Sequence, residues 1–206
     1  TIQKTLQLNL NKLYEWANLS GFKFSEVKTE SIIFTKQNKS SKIDLYLGNT
    51  RIKQTNNVKI LGIVFDTKLT WKSHIKKLKQ DCSNRLSILK TIAAKNWGAD
   101  QPVLKNTYQA LIRTKLDYGA VIYNSASNSA LKLLDPVQNA AIRTIVGAFT
   151  TSPNTSTLKV ANVLPLTIRR EILTAIQATK NSTTPNKPVY LNTFSKRYIN
   201  KYQMHK

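Results

Sequence analysis

The sequence predicts an α+β fold: a short β-containing region with one helix, followed by a region that is almost entirely helical. Three observations carry this. Between Phe22 and Phe65 apolar residues alternate with polar ones in short runs, the period of half-buried strands. Beyond residue 70 they recur every three or four positions, the period of helices. The stretch Val58 to Trp71, VKILGIVFDTKLTW, passes from one pattern to the other and reads as a strand feeding a helix. The main boundary is placed there, giving regions 1–69, 70–150 and 151–206.

The elements follow in order. Ile2, Leu6, Leu10, Leu13 and Ala17 fall within an arc of about 80° on a helical wheel, so the first helix is expected to present one core-facing stripe. Ser20-Gly21 supplies its stop. Phe22 and Phe24 alternate with Lys23 and Ser25, and Ser31 to Phe34 is rich in β-formers, so each reads as a short strand. Ile43, Leu45 and Leu47 alternate up to Gly48-Asn49, a turn pair that predicts a hairpin returning through Arg51-Ile52.

Thr70 is a candidate N-cap for a long helix to about Lys95. Ile75, Leu78, Cys82, Leu86, Leu89 and Ala93 mark its packed face. Lys72, Lys76, Lys79 and Lys90 lie within about 60° of one another, centred about 85° from that face. A solvated surface is the bland reading of any lysine stripe. This helix, however, holds seven Lys/Arg and one acid, Asp81, so i,i+4 pairing is nearly absent. Asp100 with Pro102 predicts the cap of a helix through Leu116, interrupted at Asp117-Tyr118-Gly119. Another helix is expected from Ser127 or Asn128, broken or kinked at Pro136 and ending at Gly147. Thr150 to Thr157 reads as a loop, Leu158 to Leu164 as a short helix, and Leu166 to Lys180 as the last helix. From Ser182 onward the composition is that of a linker or tail.

The charge balance narrows the function. Thirty-two Lys and Arg face ten Asp and Glu, a net charge of +22 spread along the chain, so a polyanion is the natural partner. A single cysteine, Cys82, in phase with apolar neighbours, excludes an internal disulfide and reads as a buried thiol. No long apolar run indicates membrane insertion, and an intracellular protein is expected. The chain opens at Thr1 inside a helical pattern, as a fragment would.

Nucleotide-binding glycine motifs, the H-E-x-x-H zinc motif and the G-x-S-x-G nucleophile elbow are all missing. His74 reads as a helix-surface residue, and Asp66 and Asp117 as turn or cap residues. Trp16, Trp71 and Trp97 suit either base stacking or packing among apolar neighbours.

Five segments in succession, LQLNLNKLYEWANLSGFKFSEVKTESIIFT, KILGIVFDTKLTWKSHI, LDYGAVIYNSAS, LLDPVQNAAIRTIVGAFTTSP and VLPLTIRREIL, closely resemble the C-terminal part of reverse transcriptases from jockey-like non-LTR (LINE-type) retrotransposons. The resemblance implies the end of a polymerase palm in 1–69, a helical thumb in 70–150 and a connector with a basic tail in 151–206. It places Leu61-Gly62 on the Leu-Gly motif with which the family positions the primer end. It also gives Lys68, Lys72, Lys76, Lys79 and Lys90 a partner in the phosphates of an RNA–DNA hybrid, and sets Arg169 and Arg170 in the connector. The family's catalytic aspartate motifs do not occur in this sequence. The chain is therefore expected to bind an RNA template and its hybrid without holding a cofactor, Mg²⁺ belonging to the full-length enzyme. Further implied partners are the fingers and palm of the same polyprotein, with no membrane, in nucleus and cytoplasm. The alternative is a stand-alone basic nucleic-acid-binding protein, or a decayed remnant, derived from such an element.

Overall fold

A computed structural model describes residues 2–37, 42–94, 98–186 and 188–194. The fold is α+β, with short strands confined to the first part and helices filling the second. The chain divides into two compact units, Thr1–His74 and Ile75–Lys206.

In the first unit, helix α1 (Ile2–Leu19) ends where Gly21 takes a left-handed φ of 75° and the Phe22 N–H bonds the Ala17 carbonyl at 2.8 Å. The strands pair two by two: β1 (Glu30–Ser31) runs parallel to β4 (Lys53–Gln54), β2 (Tyr46–Leu47) antiparallel to β3 (Thr50–Arg51), and β5 (Asn57–Ile60) antiparallel to β6 (Ile63–Asp66). The expected hairpin at Gly48-Asn49 forms. Gly48 holds a φ of 58°, and a Cβ there would lie 2.9 Å from the Tyr14 hydroxyl, so the turn has no room for a side chain. The Tyr14 and Thr50 hydroxyls both donate to the Glu26 carboxylate beneath it.

Three expectations for this unit are corrected. Phe22 to Phe24 forms no strand. The run Val58 to Phe65 is two strands rather than one, because Leu61 and Gly62 both take left-handed φ values, 47° and 86°, and close a two-residue hairpin. The apolar stripe of α1 is largely uncovered: Ala17 is buried, Leu10 is half-buried, while Ile2 (77% exposed), Leu6 and Leu13 face solvent. The cause is an amide edge. The Gln3 and Gln7 side chains donate to the Asp44 and Tyr46 carbonyls at 2.9 Å, and the Tyr46 N–H donates back to Gln7, so the docked side of α1 is turned about 80° from its stripe.

The second unit is helical. Helix α2 (Lys72–Ile92) buries Ile75, Leu78, Cys82, Leu86 and Leu89 along the expected face. Helix α3 (Gln101–Tyr108) is capped by Asp100, whose carboxylate accepts the Val103 N–H at 3.0 Å, and continues through a π-helical turn, Gln109–Arg113, into α4 (Thr114–Asp117). Left-handed Gly119 then precedes α5 (Ala120–Tyr123). Helix α6 (Asn128–Leu131), with Ser127 as cap, leads through a 3₁₀ turn at Lys132–Leu134 into α7 (Asp135–Val146), with Pro136 in its first turn and left-handed Gly147 at its end.

Helix α8 (Asn154–Val160) starts four residues earlier than the hydrophobic pattern indicates. Pro153 sets its entry, and its first turn is polar. Helix α9 (Leu166–Ser182) is followed by α10 (Pro188–Phe194), a short helix in the stretch expected to be a tail. A buried amide ties these helices together: the Gln138 side-chain N–H groups bond the Tyr108 hydroxyl at 3.2 Å and the Leu164 carbonyl at 3.0 Å. Burial pushes the Cys82 thiol up to about 11 and raises Tyr108 and Tyr123 above the ordinary tyrosine value.

Candidate nucleic-acid interface

Helix α2 separates two kinds of cation. On one flank of its buried stripe, the Arg85 guanidinium turns inward and donates to the Leu111 carbonyl at 3.1 Å, in the π-helical turn. On the other flank stand Lys72, Lys76 and Lys90, exposed, and Lys79, half-buried with its stem beside the apolar face. None of these four lysines is in an ion pair among the described residues. The ridge from Lys72 to Lys90 is about 27 Å long at 1.5 Å per residue.

The turn that leads into α2 is organised by one carboxylate. Asp66 accepts the backbone N–H groups of Lys68 (3.2 Å), Thr70 (2.9 Å) and Trp71 (2.7 Å) and the Thr70 hydroxyl (3.2 Å). These bonds hold Leu69 and Trp71 in left-handed conformations, with φ of 53° and 63°. Thr70, expected to cap the helix, is instead a donor within this turn, and α2 begins two residues later. Trp71 is buried and meets Phe65 edge-on with ring centroids 5.1 Å apart, so it packs, while Trp16 stacks on Phe22 at 5.9 Å and stays 55% exposed. Trp97 lies outside the described residues. His74 is not on the surface as expected. It is 6% exposed, and its Nδ1 accepts the Val64 N–H at 3.3 Å, which places β6 against the first turn of α2.

Leu61 and Gly62 form the tip of the β5–β6 hairpin. Leu61 is 85% exposed in a left-handed backbone conformation that costs a non-glycine residue about 1–2 kcal/mol. Lys68 is exposed at the far end of the same hairpin.

Arg169 and Arg170 lie in the first turns of α9. Arg169 donates from Nε (3.1 Å) and Nη2 (2.8 Å) to one oxygen of Asp117, whose other oxygen faces Arg113 at 3.5 Å. Arg170 is 4% exposed, with Nη2 3.5 Å from the Thr167 hydroxyl. Arg169 thus ties α9 to Asp117, read as a turn residue, while Arg170 is buried with its contact inside its own helix. Asp135, in the first turn of α7, is raised above the usual carboxylate range by burial, with Arg170 opposing.

Among the described residues, no three His, Cys, Asp or Glu side chains gather where a metal ion could be held. No described helix is long and apolar enough to cross a membrane.

Two curated proteins of Drosophila melanogaster are similar to the chain. One is described as a probable RNA-directed DNA polymerase from transposon X-element and is 25% identical over 152 residues, 65% of this chain and 14% of that protein. The other, the RNA-directed DNA polymerase from mobile element jockey, is 25% identical over 143 residues, 69% of this chain and 16% of that protein. The chain thus spans about a sixth or less of the length of these relatives. No protein-family model and no solved structure matches it.

Proposed function

We infer, from the premise that the chain is related to the RNA-directed DNA polymerases of non-LTR retrotransposons, that it supplies grip on the template–primer in such an enzyme. The observation that carries this reading is the row of lysines without ion pairs on α2. A cation without a carboxylate partner retains its favourable interaction for an incoming phosphate, and a ridge about 27 Å long meets several phosphates of one duplex without reading sequence. In this reading 70–150 is the thumb and Leu61-Gly62 the tip that supports the primer end. The uncovered face of α1, with Ile2, Leu6 and Leu13, packs against the palm that carries the aspartates and their Mg²⁺. The partners are the RNA template, its RNA–DNA hybrid and the fingers and palm of the same polyprotein, encountered in cytoplasm and nucleus.

The reading is tested by binding of a primed RNA template to two variants of equal charge. Lys72, Lys76, Lys79 and Lys90 all changed to Gln should weaken affinity at least tenfold. The same change at the exposed lysines Lys4, Lys12, Lys23 and Lys28 should weaken it less than threefold. Equal losses would show that only net charge matters and would overturn the assignment of a ridge.

A further inference from the structure

The C-terminal end of α1 leaves two aromatic rings in solvent. Left-handed Gly21 turns the chain so that the Phe22 N–H reaches the Ala17 carbonyl at 2.8 Å and the Gly21 N–H the Asn18 carbonyl at 3.3 Å. A helix ending of this kind brings the residue after the glycine back onto the last turn, so Phe22 comes to lie on Trp16. The ring centroids are 5.9 Å apart and the planes inclined by 21°, an offset stack. An apolar contact at this point is an ordinary part of the cap. Two large rings that stay mostly in solvent are not: Trp16 is 55% and Phe22 64% exposed.

The pair is in place before any ligand arrives. The two backbone bonds of the cap hold Phe22 against the helix, so little freedom remains to be lost when the rings are covered. One face of each ring is taken by its neighbour, and exposure above one half leaves the remaining ring surface to a planar apolar group. The net charge of +22 favours planar groups that are carried on an anion. Lys12, one helical turn before Trp16, and Lys23, next to Phe22, are exposed and outnumber the exposed Glu15, so an anionic strand is not repelled. The bases of a nucleic acid are planar groups on such a strand.

We propose that Trp16 and Phe22 form a stacking platform for the unpaired bases of a single-stranded nucleic acid. A base laid on an exposed ring gains a contact that does not depend on its hydrogen-bonding edge, so recognition tolerates any sequence. The proposal rests on the reading of the chain as a template–primer binder and adds a contact of another kind. The α2 ridge meets phosphates of the paired hybrid, whereas the platform meets bases that have no partner. A duplex, with its bases stacked inside, offers the platform nothing.

Stacking and charge leave different traces. Removing a lysine changes the dependence of affinity on salt, whereas removing a neutral ring lowers affinity by the same factor at every salt concentration. The test uses the whole chain with a labelled oligo(A) RNA, a strand of the same length without bases, and an RNA–DNA hybrid. Trp16→Leu and Phe22→Leu keep an apolar contact in the cap but remove a ring, and Trp16→Phe keeps a ring. The expected result is a loss of about fivefold or more in oligo(A) affinity for each leucine variant and of less than about threefold for Trp16→Phe, with hybrid affinity and salt slopes unchanged. The unaltered chain should also prefer oligo(A) to the strand without bases by about fivefold or more. Equal affinity for those two strands, or full oligo(A) affinity in both leucine variants, overturns the platform. Equal losses on oligo(A) and on the hybrid also overturn it, because the ring then serves the fold. If the hybrid binds normally in any of these cases, the platform alone fails. If the unaltered chain binds oligo(A) through the rings but does not bind the hybrid, the functional reading fails and the platform stands.

Discussion

Leu61 shows how a single residue separates folding from use. A two-residue hairpin with both φ angles positive favours Asn-Gly, and the chain has Leu-Gly, leaving a large apolar side chain in a strained turn in solvent. Gly62 satisfies the second position at no steric cost. Leu61→Asn should therefore stabilise the chain by up to about 1 kcal/mol, because asparagine tolerates the left-handed region, while weakening binding of a primed template. Thermal melting and binding of the same variant check both signs, and a higher melting temperature with full affinity would remove the tip from the interface. The turn was not legible because its first residue lacks the usual signal: VKILGIVFD reads as one buried strand unless Gly62 is given the power to reverse the chain. His74 was misread for a related reason. Its neighbours in sequence are lysines, and the Val64 N–H that draws it inward comes from a strand ten residues earlier.

At the scale of elements, α2 was legible in full outline because one amphipathic helix carries its own periodicity: the stripe from Ile75 to Leu89 is the buried face. Helix α1 has an equally regular stripe and was misread, since the amides of Gln3 and Gln7, not its apolar side chains, choose the docked edge. The anchoring of α9 depends on a tertiary contact across 52 residues, Arg169 to Asp117, which no local pattern encodes. Asp117→Asn should lower stability by about 1–2 kcal/mol, because two partly buried guanidinium groups lose their shared carboxylate. Hybrid affinity and its salt dependence should not change. A thermal melt beside a binding curve checks this, and a variant that melts normally but loses affinity would return Arg169 to the interface.

For the whole molecule, the net charge of +22 pointed to a polyanion, but it did not say which cations face it. The structure divides them: Arg85 is used on the Leu111 carbonyl, Arg113 and Arg169 on Asp117, Arg51 on Asp44, and Arg143 on the Ser152 carbonyl and the Asn154 side chain. The lysines of α2 have no such ion pair among the described residues. The central claim, that the α2 ridge meets phosphates, is tested most directly by the slope of log affinity against log salt for an RNA–DNA hybrid. Each phosphate contact contributes about 0.9 to that slope for a duplex, so Gln at positions 72, 76, 79 and 90 together should reduce it by roughly 3 to 4 with the melting temperature unchanged. A slope equal to that of the unaltered chain would contradict the account.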